Sequence, residues 1–110
     1  MTIAREYRHD APDRAELERQ PGITLLEFGT AWCGYCQAAQ PLIEQALADS
    51  HDLHHLKIED GKGRPLGRAF RVKLWPTLVL LRDGVEVERL VRPQRAEDIA
   101  RALADARGEA

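Results

Sequence analysis

The sequence has few cysteines and no large net charge of either sign. Two cysteines in 110 residues are too few for the disulfide framework of a small secreted domain. The formal net charge is −2, and the 16 Lys and Arg residues are scattered along the chain. This distribution argues against nucleic acid as an obligate partner. The sequence also lacks a repeat of fixed period and a low-complexity tract.

Long hydrophobic runs are missing as well. The first ten residues hold charges at Arg5, Glu6, Arg8 and Asp10 and no apolar core, so they cannot serve as a secretory signal. With 44% hydrophobic and 31% charged residues, the chain is too polar for a membrane span and too apolar for a disordered segment. We therefore expect a soluble globular protein of the cytoplasm, with no membrane partner.

The length favours one domain over residues 1–110. A folded chain of this size buries roughly 65% of the surface that its unfolded form exposes, which is enough to fold without metal or disulfide staples. We expect a monomer with no metal site and no bound cofactor.

The hydrophobic pattern predicts alternating strands and helices. Strands are predicted at residues 3–7, 23–29, 54–58, 77–81 and 85–91, with Asp83-Gly84 as a hairpin turn. Helices are predicted between residues 10 and 20, from Cys33 toward Ser50, at 66–72 and from about residue 96. Asp10 is expected to cap the first helix, with Pro12 in its first turn. The order βαβαβαββα predicts an α/β fold with a mixed five-stranded central sheet and helices on both faces.

The two cysteines, Cys33 and Cys36, form a Cys-x-x-Cys motif where an apolar strand gives way to an amphipathic helix. In the first turn of a helix such residues are neighbours, and the helix terminus stabilises a thiolate. Cys33 is thus the candidate nucleophile, and the deeper Cys36 is the candidate resolving thiol. Two other interpretations are weaker: small core residues, or half of a zinc site, for which the four histidines have unsuitable spacing.

The stretch LEFGTAWCGYC at residues 26–36, Pro41 in the following helix, and Trp75-Pro76-Thr77 together resemble the thioredoxin family. The resemblance implies a thioredoxin fold and a thiol-disulfide oxidoreductase that reduces disulfide-containing proteins. It also implies an external reductase that restores the dithiol.

Further site residues follow from the same resemblance. Pro76 is expected to be a cis proline facing the cysteines, and the backbone of Trp75 to pair with substrate. Trp32, Gly34 and Tyr35 are expected to help bind substrate. The Trp75 side chain either contacts substrate or only packs on Trp32.

Glu27 stands where the family commonly carries a buried aspartate that relays a proton to the second cysteine. Burial of the carboxylate predicts a raised pKa and a role as proton acceptor; alternatively, the side chain reaches the surface. His51, His54 and His55 are expected at solvated edges, although His55 aligns approximately with a family lysine and could tune Glu27.

The residue at position 92 is a second departure. Arg92 replaces the glycine of many relatives, which predicts a charge at the rim of the partner surface.

Two other functions stay open. One is an interaction module with idle cysteines, and the other is a disulfide oxidase or isomerase, if an export segment had been removed.

Overall fold

The computed structural model describes residues 4–108, which form a central sheet flanked by helices. In chain order the elements are α1 (Arg14–Glu18), β1 (Ile23–Gly29), α2 (Gly34–Leu47), β2 (Leu53–Glu59), α3 (Pro65–Ala69), β3 (Thr77–Arg82), β4 (Val85–Val91) and α4 (Ala96–Ala106). No helix in this range is both long enough and apolar enough to cross a membrane.

The sheet is mixed and has the strand order β2-β1-β3-β4. β1 pairs in parallel with β2, where Glu27 lies opposite Lys57, and antiparallel with β3. β3 and β4 form the predicted hairpin, and its turn places both Asp83 (φ 51°) and Gly84 (φ 84°) in the left-handed region. Positive φ at both central residues suits a tight hairpin, which explains the Asp-Gly pair.

Two hydrophobic clusters cover the two faces of the sheet. On β1, Leu25 belongs to the cluster beneath α2 and α4, whereas Leu26 and Phe28 belong to the cluster beneath α1 and α3. All seven residues of β1 are buried because both of its faces are covered. The expected helices on both faces are therefore present, and β1 is a buried inner strand of the sheet.

The expected fifth strand at residues 3–7 is wrong for the part that the structure describes. Ile3 lies outside the described residues, and residues 4–7 form no strand. The backbone N–H of Ala4 instead donates to Nδ1 of His55 at 3.1 Å. Arg8 alone pairs with β2, as a single parallel bridge to Ile58. The described sheet thus has four strands, and the element order is αβαβαββα rather than βαβαβαββα.

The first helix also begins later than predicted. Asp13, not Asp10, is its N-cap residue: the Asp13 carboxylate accepts the N–H of Glu16 at 2.8 Å, and Glu16 accepts the N–H of Asp13 at 3.3 Å. This reciprocal capping box satisfies two N–H groups at the start of the helix, so it fixes the start after Pro12 rather than before it.

Candidate active site

Cys33 and Cys36 lie at the N-terminal end of α2, as predicted. Cys33 is the N-cap residue, and its Sγ accepts a hydrogen bond from the backbone N–H of Cys36 at 3.3 Å. Both are free thiols, with exposed fractions of 8% for Cys33 and 1% for Cys36. The N-cap sulfur therefore lies at the positive end of the helix. Cys33 is the more accessible thiol, and Cys36 lies deeper.

Glu27 projects from the middle of β1, and its fully buried carboxylate lies at the centre of a hydrogen-bond network. Its Oε1 lies 2.9 Å from Nε2 of His55, and its Oε2 accepts a hydrogen bond from the Gln40 amide at 2.7 Å. Oε2 also accepts from the Tyr7 hydroxyl at 3.1 Å and lies 3.9 Å from Nζ of Lys57. The alternative in which Glu27 reaches the surface is therefore excluded.

The pKa of Glu27 is lowered, which corrects the predicted increase. Burial alone raises the pKa, but the hydrogen bond from His55, the charge of Lys57 and the hydrogen bond from Gln40 outweigh it. The prediction was wrong because it considered desolvation without the donors that stabilise the charged form. Glu27 is thus a carboxylate at neutral pH.

His55 corrects a second prediction. His51 and His54 are exposed as expected, but His55 is buried, with an exposed fraction of 4%. Its Nδ1 accepts the N–H of Ala4, which leaves Nε2 to donate to Glu27. The tuning contact that was suggested for His55 therefore exists.

Sequence reasoning missed three members of this network: Tyr7, Gln40 and Lys57. Gln40 follows Cys36 by four residues on α2, and Lys57 shares the side of β2 that carries His55. The spacing on α2 and the alternation on β2 could have indicated these two. Tyr7 gave no such signal, because its contact with Glu27 joins segments 20 residues apart.

The thiol of Cys36 is much less acidic than an ordinary cysteine. Burial and the hydrogen bond with Cys33 raise the pKa of Cys36 to about 11. Cys36 is therefore a protonated thiol at neutral pH, and it must lose a proton before or while it attacks another sulfur.

Of the residues expected to bind substrate, Trp32, Gly34 and Tyr35 are exposed, Trp75 is half-buried and Pro76 is buried. Trp32 and Tyr35 are 74% and 60% exposed. Gly34 is exposed at the first position of α2, where a Cβ would meet no heavy atom within 4 Å. The Trp75–Pro76 peptide bond is cis, and Pro76 is buried. A large exposed aromatic surface therefore adjoins the thiols.

Trp75 does more than pack on Trp32. The two rings meet edge to face at 5.7 Å between centroids, and the indole N–H of Trp75 donates to Asp60 at 2.8 Å. A Cβ at Gly67 would overlap this Asp60 carboxylate at 2.0 Å, so the glycine leaves room for it. The orientation of Trp75 is thus fixed from both sides.

Arg92 connects Tyr35, which lies between the two cysteines, with Trp75 and Pro76. Its Nε donates to the carbonyl of Trp75 at 2.8 Å, and its guanidinium lies 3.8 Å from the centroid of the Tyr35 ring. Its backbone N–H donates to the carbonyl of Pro76 at 2.9 Å. The side chain is half-buried rather than a free charge at the rim, and its φ of 50° is a conformation that favours glycine.

Substitutions at Arg92 should separate these contacts from the backbone strain. Arg92→Ala removes the side-chain contacts and keeps the positive φ, so we expect a loss of about 1–2 kcal/mol in the free energy of unfolding. Arg92→Gly removes the same contacts but relieves the strain, so it should be about 1 kcal/mol more stable than Arg92→Ala. Urea unfolding of both variants measures the difference, and equal free energies of unfolding would contradict backbone strain at residue 92.

The described residues offer no cluster of metal ligands. In the described range 4–108, no group of three or more His, Cys, Asp and Glu side chains could hold a metal ion. The site is therefore built from two thiols, a buried carboxylate network and an exposed aromatic surface.

Comparison with known proteins agrees with this geometry. The family model for thioredoxin matches residues 9–105. Thioredoxin 2 from Pseudomonas aeruginosa PAO1, in its reduced form, is similar with a TM-score of 0.87 and 54% identity, covering 98% of this chain and 100% of that chain. Thioredoxin from Chlamydia muridarum is 39% identical over 71 residues, which are 64% of this chain and 69% of that protein. Rice thioredoxin H2-1 is 31% identical over 75 residues, which are 68% of this chain but only 54% of that protein. The chain belongs to the thioredoxin family of protein-disulfide oxidoreductases.

Proposed function

We propose that this chain reduces disulfides in proteins by two successive exchange steps. The thiolate of Cys33 attacks a substrate disulfide, forming a mixed disulfide and releasing the first substrate thiol. Cys36 then attacks the Cys33 sulfur, forming the Cys33–Cys36 disulfide and releasing the second. The observation that carries this assignment is the Cys33 sulfur at the N-cap of α2, hydrogen-bonded to the N–H of Cys36 and more exposed than the Cys36 sulfur.

Glu27 is the proposed proton acceptor for Cys36. Its pKa is lowered and that of Cys36 is raised to about 11, so an ionised carboxylate lies close to a protonated thiol. The transfer accompanies the attack on Cys33, because the forming disulfide bond removes the affinity of the Cys36 sulfur for its proton.

The substrate surface in this proposal consists of Trp32, Gly34, Tyr35, Trp75 and Pro76. Its aromatic exposure suits an extended, partly apolar segment of a disulfide-containing protein. The two thiols carry both electrons, so the cycle needs no bound cofactor, but it needs a reductase that restores the dithiol. We further propose that the chain acts as a single-domain monomer in the cytoplasm.

Insulin reduction by dithiothreitol tests the proposed function. We expect the protein to shorten the delay before the reduced insulin chains precipitate, because it adds a faster exchange route. The Cys33→Ser/Cys36→Ser double variant is the matched control and should behave like buffer. If the wild-type protein gave no acceleration, the reductase function would be contradicted and the interaction module favoured.

A further inference from the structure

We propose that the hydroxyl of Tyr7 carries the proton from Cys36 to Glu27 in the second exchange step. This inference rests on the reaction proposed above. It adds a catalytic residue from the N-terminal segment, outside the Cys-x-x-Cys loop, the central strand and the proline loop.

The Tyr7 hydroxyl lies between the two groups that must exchange the proton. It donates to Oε2 of Glu27 at 3.1 Å, and its oxygen and the Cys36 sulfur both lie beside the position that a Cβ at Gly29 would take. Gly29 makes this approach possible, because a Cβ there would lie 2.5 Å from the Cys36 sulfur and 2.9 Å from the Tyr7 oxygen. Both atoms therefore border the space that a side chain at residue 29 would fill.

Tyr7 is held in this position by its surroundings. Nζ of Lys57 lies 4.5 Å from the centroid of its ring, and the next residue, Arg8, is hydrogen-bonded to Lys57 and Glu59 of β2. Burial, followed by the nearby charges of Glu27 and Cys36, raises the pKa of Tyr7 above its ordinary value of 10. The hydroxyl thus keeps its proton at neutral pH and can accept one hydrogen bond while it donates another.

The other bridging side chain is unsuited to the relay. The amide of Gln40 donates to Glu27 at 2.7 Å and to the backbone carbonyl of Cys36 at 3.2 Å. An amide NH₂ group donates hydrogen bonds but does not pass a proton on as a hydroxyl does. Among the hydrogen bonds of residues 4–108, none joins the Glu27 carboxylate directly to the Cys36 thiol, and the Tyr7 hydroxyl lies beside both groups.

Cys36 attacks the Cys33 sulfur of the mixed disulfide, the Cys33–Cys36 bond forms, and the bond from Cys33 to the substrate sulfur breaks. The Cys36 proton moves to the Tyr7 oxygen while the Tyr7 proton moves to Oε2 of Glu27. The leaving substrate thiolate takes a proton from solvent. Because a disulfide sulfur holds no proton, formation of the new bond drives the proton off Cys36 in the same step.

A solvent-open pocket of about 420 Å³ borders the relay. Tyr7, Cys36, Gln40 and Lys57 contribute to its lining, so water can reach the relay from a side other than the exposed aromatic surface. The titratable groups nearest to the relay are Cys33, His55 and Lys57, and Arg5, Glu6, His9 and Glu59 also line the pocket. Tyr7 lines this pocket and contacts Glu27, so the proton can return from Glu27 to solvent through Tyr7 after each turnover.

Stopped-flow reduction of 5,5′-dithiobis(2-nitrobenzoate) separates the two exchange steps. The attack of Cys33 releases the first thionitrobenzoate, and the attack of Cys36 releases the second; Cys36→Ser, which releases only the first, assigns the phases. In Tyr7→Phe we expect the first phase within about twofold of the wild-type rate and the second slowed by about 10- to 100-fold. The phenylalanine keeps the ring beside Lys57 and removes only the hydroxyl.

The pH profile distinguishes a relay from a structural role. Without the hydroxyl, Cys36 must lose its proton to solvent, so the second phase of Tyr7→Phe should rise about tenfold per pH unit between about pH 6 and pH 9. The wild-type second phase should depend far less on pH. Thr24→Val, which removes a buried hydroxyl without a hydrogen-bond partner, is the matched control and should leave both phases within about twofold.

Three results would overturn the relay. A second phase in Tyr7→Phe with the wild-type rate and pH profile would overturn it and leave the exchange reaction intact. Equal slowing of both phases would do the same, because it would show a structural role. Failure of the wild-type protein to release thionitrobenzoate would overturn the proposed function together with the relay.

Discussion

Cys36→Ser is expected to accumulate a covalent complex with disulfide-bonded insulin, whereas Cys33→Ser is expected to accumulate almost none. In Cys36→Ser, Cys33 can still attack a disulfide, but serine cannot resolve the mixed disulfide that results. In Cys33→Ser, the remaining thiol has an exposed fraction of 1% and a pKa raised to about 11, so a protein disulfide meets neither an accessible nor an ionised sulfur. Turnover should fall by about 1,000-fold or more in both variants.

Non-reducing gel electrophoresis after alkylation measures the trapped complex. The Cys33→Ser/Cys36→Ser double variant gives the background. Dithiothreitol should reduce a true mixed disulfide, so its band should disappear from the gel. A reversed pattern, with trapping by Cys33→Ser, would contradict the assignment of nucleophile and resolving thiol. The contrast between the variants depends on the depth difference at one helix end, so it tests the geometry directly.

Local sequence patterns predicted most of the sheet and the helices because these elements are defined by contiguous residues. The apolar run Ile23–Gly29 and the Asp83-Gly84 turn each have a one-to-one counterpart in the structure. The N-terminal segment was mispredicted because its hydrogen bonds are made over long sequence distances. Ala4 donates to a histidine 51 residues away, which no local periodicity encodes.

The features of the candidate site also fall into two groups, those that the local sequence predicts and those that depend on long-range contacts. The position of the two cysteines at a helix start and the exposure of Trp32 follow from spacing and resemblance. The charge state of Glu27 does not, because it is decided by which donors converge on the carboxylate. His55 and Lys57 come from the neighbouring parallel strand and Tyr7 from the N-terminal segment, so the pKa shift required the fold before its direction could be derived.

Glu27→Gln is expected to lower the free energy of unfolding by about 3–5 kcal/mol at neutral pH. The substitution removes the charge that compensates Lys57, whose side chain is only 5% exposed. It also places an amide NH₂ group among the donors of His55, Gln40 and Tyr7, so at least one donor loses its acceptor. A chain with ordinary stability tolerates this loss and stays folded. Urea unfolding of both proteins measures the difference.

The pH dependence of that difference identifies the ionised carboxylate as its source. The folded-state pKa of Glu27 lies below its ordinary value of 4.5, so folding favours the charged form. The stabilisation is complete above about pH 4.5 and is lost as the pH falls through the lowered pKa. The gap between wild type and Glu27→Gln should therefore be constant near neutrality and narrow in acid. Glu44→Gln, the same change at an exposed position of α2, should stay within about 0.5 kcal/mol of wild type throughout. A Glu27→Gln gap that widened in acid would mean that folding raises the pKa of Glu27, which would contradict the ionised carboxylate as the source of the stabilisation.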